Sequence, residues 1–164
     1  MTLSPGGRHS AGDVNDAEIM LHASAVALRV GTEWRGVLIT GPSGVGKSAL
    51  ALELMALGAR LVADDRVNLR RLGDLLMASA PQAIMGQIEA RGIGIVYASA
   101  LDTVPIVLVI KLGGDQTERL PPARRIELNG LRLPYICATG SMRVAPAVVQ
   151  VLRGGMMDPD RCDE

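Results

Sequence analysis

Hydrophobic positions in this chain fall in short runs broken by glycine-rich or polar stretches, not in long amphipathic repeats. VLIT (37–40) is an apolar run that ends at a glycine, and it predicts a buried strand. After Lys47 the leucines at 50, 54 and 57 recur at helical spacing, predicting a helix from Lys47 to Leu57 that Gly58 stops. RLVAD (60–64) predicts a second strand. VNLRR (67–71), LLMAS (75–79) and IGIVY (93–97) predict further short strands, with a helical turn at QAIMGQI. VPIVLVIKL (104–112) is dense in β-branched residues, the strongest strand signal in the chain. RIEL and YICAT add shorter strands, and a last helix starts near Pro146, which suits a first-turn position, and runs to Arg153. Upstream, AVALRV (25–30) alternates imperfectly, and GTEWRG after it reads as a turn. The pattern predicts a strand-rich α/β domain over residues 19–153, with a flexible leader (1–18) and a disordered tail (154–164).

The 164 residues suit one domain with a sizeable core. Seventeen basic and seventeen acidic side chains cancel, which removes any bulk electrostatic argument for nucleic acid or an anionic membrane. With no Phe, one Trp and two Tyr, stacking platforms for single-stranded bases are not expected either. Cys137 and Cys162 make neither a disulfide framework nor a zinc spacing and read as free thiols of a reducing compartment. The N-terminus lacks the apolar core of a signal peptide, and no apolar run approaches the roughly 18–20 residues that span a bilayer. A cytoplasmic location is expected.

The sharpest chemical signal is G-x-x-x-x-G-K-[ST], satisfied by Gly41, Pro42, Ser43, Gly44, Val45, Gly46, Lys47 and Ser48. Glycines let successive backbone N–H groups turn inward into an anion-binding concavity, and the following helix aims its N-terminus at the same place. Lys47 supplies a mobile charge for the outer phosphates, and the Ser48 hydroxyl suits Mg²⁺. An apolar strand before the loop and a helix after it are the context the motif needs. A nucleoside triphosphate such as ATP is therefore the expected ligand.

Two adjacent carboxylates, Asp64 and Asp65, follow closely. Eleven helical residues span roughly 16 Å. A turn at Gly58 then lets 60–64 run back parallel to VLIT, as a β-α-β unit requires, and brings both aspartates to the carboxyl edge that carries the loop. Successive strand residues face opposite ways, so one carboxylate can serve Mg²⁺ while the other accepts a proton. Glu89, Arg91, Gly92 and Gly94 form a third cluster. In it Glu89 suits a second metal ligand and Arg91 a phosphate clamp, with the two glycines permitting close approach.

Taken together, LHASAVAL, GVLITGPSGVGKSALALELMALGARLVADDRV, SAPQAIMGQIEARGIGIV, the ERLP around Arg119 and ATGSMR ending at Arg143 resemble the catalytic domain of bacterial HPr kinase/phosphorylase. The resemblance runs from about Leu21 to Arg153. The order phosphate loop, ADD, E-x-R-G-x-G at these intervals is far more specific than the loop alone. It implies a P-loop nucleotide-binding fold resembling the C-terminal domain of phosphoenolpyruvate carboxykinase. It also implies ATP- and Mg²⁺-dependent phosphorylation of a serine of the phosphocarrier HPr, and phosphorolysis of phosphoserine-HPr by inorganic phosphate to give pyrophosphate.

Carried over by position, Gly41 to Ser48 would be the nucleotide loop, with Ser48 and Glu89 on Mg²⁺. Asp65 would be the acid/base and Asp64 its supporting neighbour. His22, Lys47 and Arg119 would match the family's active-site histidine and catalytic cations. Arg91, Gly92, Gly94 and Arg143 would lie in segments that serve phosphorolysis. A hexamer is implied as well. Two positions depart from the family pattern: Ala49 stands where an acidic residue often follows the loop serine, and ATGSMR lacks the lysine and proline common there. A P-loop kinase of small molecules is one alternative, weakened because Arg124 and Arg125 are the only hint of an Arg-rich lid. An ATP-binding sensor without transfer is the other, against which the intact Asp64, Asp65 and Glu89 argue.

Overall fold

The computed structural model describes residues 17–116, 118–139 and 142–157. The leader up to residue 16, the tail from 158 with Cys162, and positions 140 and 141 of the ATGSMR loop lie outside the described residues. The chain forms β1 (Ile19–Leu21), β2 (Ser24–Val30), β3 (Glu33–Thr40), α1 (Lys47–Ala56), β4 (Arg60–Ala63), β5 (Val67–Leu72), β6 (Leu75–Ser79), β7 (Gln87–Ala90), β8 (Gly94–Tyr97), β9 (Val104–Leu112), β10 (Arg124–Leu128), β11 (Leu131–Ala138) and α2 (Ala145–Gly154). This is the strand-rich α/β architecture that the hydrophobic pattern predicts.

The main sheet runs β1-β5-β6-β9-β3-β2-β4, and β11 joins β9 on the edge that β6 leaves free, with β10 outside it. β3, β9 and β11 are mutually parallel, while β2 is antiparallel to both β3 and β4. β4 therefore points the same way as β3, as a β-α-β crossover requires. It is not the neighbour of β3, however: β2 lies between them. The alanines of β2 explain how this strand fits there, since Ala25 and Ala27 are wholly buried and let a second layer pack closely over the sheet.

A second correction concerns GTEWRG. Only the glycine and threonine turn; Glu33 to Gly36 already belong to β3 and pair with β2. Gly36 is in the strand because β9 comes close there. A Cβ on it would stand 2.5 Å from the carbonyl oxygen of Pro105, at the point where the β3–β9 register shifts.

Alternation along the central strands divides the core in two. Val26, Leu28, Val37, Ile39, Leu108 and Ile110 face the helices, against Leu50 and Leu54 of α1 and Val148 and Leu152 of α2. Leu38, Val109 and the β2 alanines face the layer formed by β5 and β6. Leu57, predicted to be in the helix, caps it and is 43% exposed. The last helix extends through Gly154, one residue into the segment expected to be a tail. β11 is longer than YICAT predicts. Pro134 is accommodated there because pairing with β9 starts only at Tyr135, leaving the proline a neighbour on one side.

The shared direction of β3, β4, β9 and β11 has one consequence for function. Their carboxyl ends, at Thr40, Ala63, Leu112 and Ala138, gather at a single edge of the sheet.

Candidate active site

At that edge the chain leaves β3 into the loop 41–46 and enters α1. Gly41 adopts φ +145°, and a Cβ on it would lie 2.7 Å from the carbonyl oxygen of Leu112, so the end of β9 forms the floor of the loop. Gly46 precedes α1 in the left-handed region, and no side chain caps the helix. No acidic residue lies in its first turn, and the carboxylate bonded there is that of Asp64, on the hydroxyl of Ser48. The Lys47 ammonium folds back over the loop and donates to the carbonyl oxygens of Gly41 (2.9 Å) and Pro42 (3.0 Å).

Asp64 closes the other side. Strand β4 ends at Ala63, and Asp64 is only 5% exposed. Its Oδ1 accepts hydrogen bonds from the hydroxyls of Ser48 and Ser24, each 2.7 Å away, and its Oδ2 accepts the backbone N–H of Glu89 at 2.9 Å. One carboxylate thereby ties together the start of α1, the start of β2 and strand β7. Each of these charge-assisted bonds is stronger than a neutral one. Because Ser48 gives its hydrogen to Asp64, its oxygen lone pairs remain for a hard cation, and Glu89 offers a second oxygen donor in the same cavity. That oxygen-only donor set fits Mg²⁺.

Asp65 diverges from Asp64 by a turn and not by strand alternation. It takes φ +68°, and its side chain is 74% exposed with Arg66 Nε 3.9 Å away. Asp65 lines a cavity of about 560 Å³ together with Ser24, Ser43, Gly44, Gly46, Lys47, Ser48, Glu89, Arg91 and Ile93. The expected extended segment around Glu89 is a hairpin: β7 and β8 pair antiparallel, with residues 91–93 as the connection. Gly92 and Gly94 have positive φ, and open space surrounds the position of a Cβ at each. They shape the turn, and the open space beside each leaves room for another group.

Of the other residues singled out in the sequence, His22 is exposed and follows β1, one step beyond the pair Leu21–Val67, level with the Asp64–Arg66 turn. Arg119 lies in the connection from β9 to β10 and Arg143 in that from β11 to α2, both exposed. None of these three is among the residues that line the cavity. Ser24, which does, was missed by sequence reasoning. The signal available was a lone hydroxyl inside the apolar run of β2, which stays buried only when it has a partner. A larger cavity of about 720 Å³ lies toward the opposite end of β3, between β10, β11 and the end of α2, with Arg35, Arg124, Arg125 and Arg132 in its wall. Tyr135 lies in that wall too, its phenol pushed up to about 12 by burial and by its hydrogen bond with Cys137.

A family model described as the HPr Serine kinase C-terminal domain matches residues 18–113, more than half of the chain. The chain belongs to the HPr serine kinase C-terminal domain family. Every residue lining the smaller cavity falls within the matched stretch, whereas Arg119 and Arg143 fall outside it.

Similar proteins include the HPr kinase/phosphorylase of Clostridium tetani, 47% identical over 79 residues, covering 48% of this chain and 26% of that protein. The HPr kinase/phosphorylase of an Exiguobacterium species is 61% identical over 67 residues, covering 40% of this chain and 22% of that protein. The matched stretch thus spans about a quarter of the length of these relatives. Among solved structures, the Hpr(Ser) kinase/phosphatase from Coxiella burnetii superposes with a TM-score of 0.65 at 28% identity, over 82% of this chain and 93% of that one. The HPr serine kinase domain fold therefore extends beyond the matched stretch to most of the chain.

Proposed function

We propose that this chain is an ATP- and Mg²⁺-dependent protein serine kinase acting on an HPr-like phosphocarrier protein, with its kinase domain over residues 19–153. The observation that carries the reading is the hydrogen bond from Ser48 to the buried Asp64, with Ser48 lining one cavity together with Lys47, Asp65, Glu89 and Arg91. This combination joins a phosphate cradle to a loop serine fixed by a buried strand-end aspartate, the arrangement by which P-loop enzymes hold their metal.

In the forward reaction, the substrate serine oxygen attacks the γ-phosphorus of ATP, the bond to the β-phosphate oxygen breaks, and ADP leaves. Backbone N–H groups of the loop and Lys47 would spread the charge that develops on the phosphoryl oxygens. Lys47 would do so by exchanging its two loop carbonyls for phosphate oxygens. Asp65, exposed in the same cavity, would take the serine proton. Ser48 and Glu89 would hold Mg²⁺, which when bound neutralises phosphate charge. In the reverse reaction inorganic phosphate attacks the phosphoserine phosphorus. The serine oxygen–phosphorus bond breaks, Asp65 returns the proton to that oxygen, and pyrophosphate leaves. His22, Arg119 and Arg143 would contribute to this site once substrates close it. A cytoplasmic, homo-oligomeric enzyme accords with this reading, and no described helix is long and apolar enough to cross a membrane.

The test is incubation with γ-labelled ATP, Mg²⁺ and purified HPr, followed by phosphopeptide mapping, and then phosphoserine-HPr with inorganic phosphate. Label on a serine and release of pyrophosphate support the two directions separately. Label on a small molecule, or nucleotide binding without transfer, would replace the reading with a metabolite kinase or a sensor.

A further inference from the structure

The hairpin β7–β8 carries an apolar stripe that the catalytic reading leaves unused. Ile93 is 82% exposed, Ile95 60% and Tyr97 87%. Ile95 and Tyr97 are alternate positions of β8 and share one face, and Ile93 stands in the connection just before the strand. The opposite face is fixed in the core: Ile88 is 1% exposed and Val96 packs beside it against the helix-side cluster. The exposed face is thus a rigid surface, not a loose loop. Aromatic side chains are enriched where partners bind.

The stripe is continuous with the phosphate cavity. Ile93 lines it directly. Ile95 pairs across the hairpin with Glu89, which lines it too. The N–H of Glu89 is spent on Asp64, so Glu89 and Ile95 form a non-hydrogen-bonded pair, the type whose side chains stand closest. From Ile93 to Tyr97 the stripe extends roughly 13 Å away from the cavity. A small acceptor reaching Asp65 would leave most of it bare, and a balanced net charge gives no basis for nucleic acid. A protein that presents a hydroxyl to Asp65 would lie across it.

We infer that Ile95 and Tyr97, with Ile93 at the cavity mouth, form the docking strip for the protein substrate, whose phosphorylated serine must be bordered by an apolar patch. This inference rests on the proposed kinase reading. The strip sets how the acceptor is held and takes no part in the chemistry.

The experiment compares the intact chain with the double variant Ile95→Ser, Tyr97→Ser. Both side chains are exposed, so the melting temperature should not move. Initial rates are measured against HPr concentration, ATP affinity with a fluorescent nucleotide, and assembly size by light scattering. The expected result is a rise of about tenfold or more in KM for HPr, with nucleotide affinity within about twofold and assembly size unchanged. An unchanged KM in an active enzyme overturns the docking strip alone. A smaller assembly in the variant overturns it in favour of a contact between copies of this chain. A wild-type chain that transfers no phosphate to HPr overturns the kinase reading itself, and the strip with it.

Discussion

Ser48 donates its hydroxyl hydrogen to Oδ1 of Asp64 across 2.7 Å, joining the first turn of α1 to the end of β4. Sixteen residues separate the two in sequence, and only the crossover from β3 through α1 brings them together. The bond fixes which way the serine lone pairs face, and it does so from a carboxylate that water scarcely reaches.

Removing that carboxylate should therefore damage the fold and the site together. Asp64→Ala leaves Ser24, Ser48 and the Glu89 N–H without their acceptor, and of these Ser24 is buried. An unsatisfied buried donor costs about 1–3 kcal/mol, so a loss of about that size is expected. Urea denaturation followed by circular dichroism would measure it. A variant as stable as the parent would mean that the three donors find water, and that Asp64 does not organise the site.

Lys47→Ala should separate chemistry from folding. Among the described residues the ammonium donates to the carbonyls of its own loop, so its removal breaks no hydrogen bond to the core. Thermal stability should change by less than about 1 kcal/mol. Phosphoryl transfer should fall by at least about 100-fold, the usual consequence of losing one preorganised charge at a developing oxyanion. Retained full activity would remove the loop lysine from the mechanism.

These two predictions draw on features of unequal visibility in the sequence. The strand–loop–helix unit from Val37 to Ala56 was legible because its signals are local: an apolar run, a glycine-rich motif and leucines at helical spacing. The adjacency of strands was not. β2 enters between β3 and β4 on the strength of small side chains, and an alanine-rich run carries too little bulk to announce a central strand. Asp64 and Asp65 were legible as a pair but not as a division of labour. Their separation comes from the left-handed backbone at Asp65, which no pattern of residue types encodes. Ser24 escaped notice for a related reason, since its partner lies forty residues away.

Gly36 makes the same point as a stability prediction. Read locally it signals a turn; in the fold it sits inside β3 against the backbone of β9. Gly36→Ala would place a methyl 2.5 Å from the Pro105 carbonyl oxygen and 3.0 Å from Ile106 Cδ1. Neither the carbonyl nor the strand that holds it can yield cheaply. A loss of about 1–3 kcal/mol is expected, lowering the melting temperature by several degrees. Calorimetry would register it, and an unchanged transition would show that β9 can withdraw from β3 without cost.

Asp65 offers the most direct test of the division within the acidic pair. Its side chain is largely in solvent, and its ion pair with Arg66 is long at 3.9 Å, so little stability depends on it. Asparagine tolerates the left-handed backbone at this position nearly as well as aspartate does. Asp65→Asn should thus fold within about 0.5 kcal/mol of the parent and keep its nucleotide affinity. If Asp65 moves the proton, turnover should fall by about 100-fold or more in both directions, because the same oxygen serves each. Rates of HPr phosphorylation and of phosphorolysis, measured on one preparation, supply the comparison. Should Asp64→Asn stop both reactions at parental stability while Asp65→Asn remains active, the proton acceptor would be the buried carboxylate, and the exposed one a contact for the incoming protein.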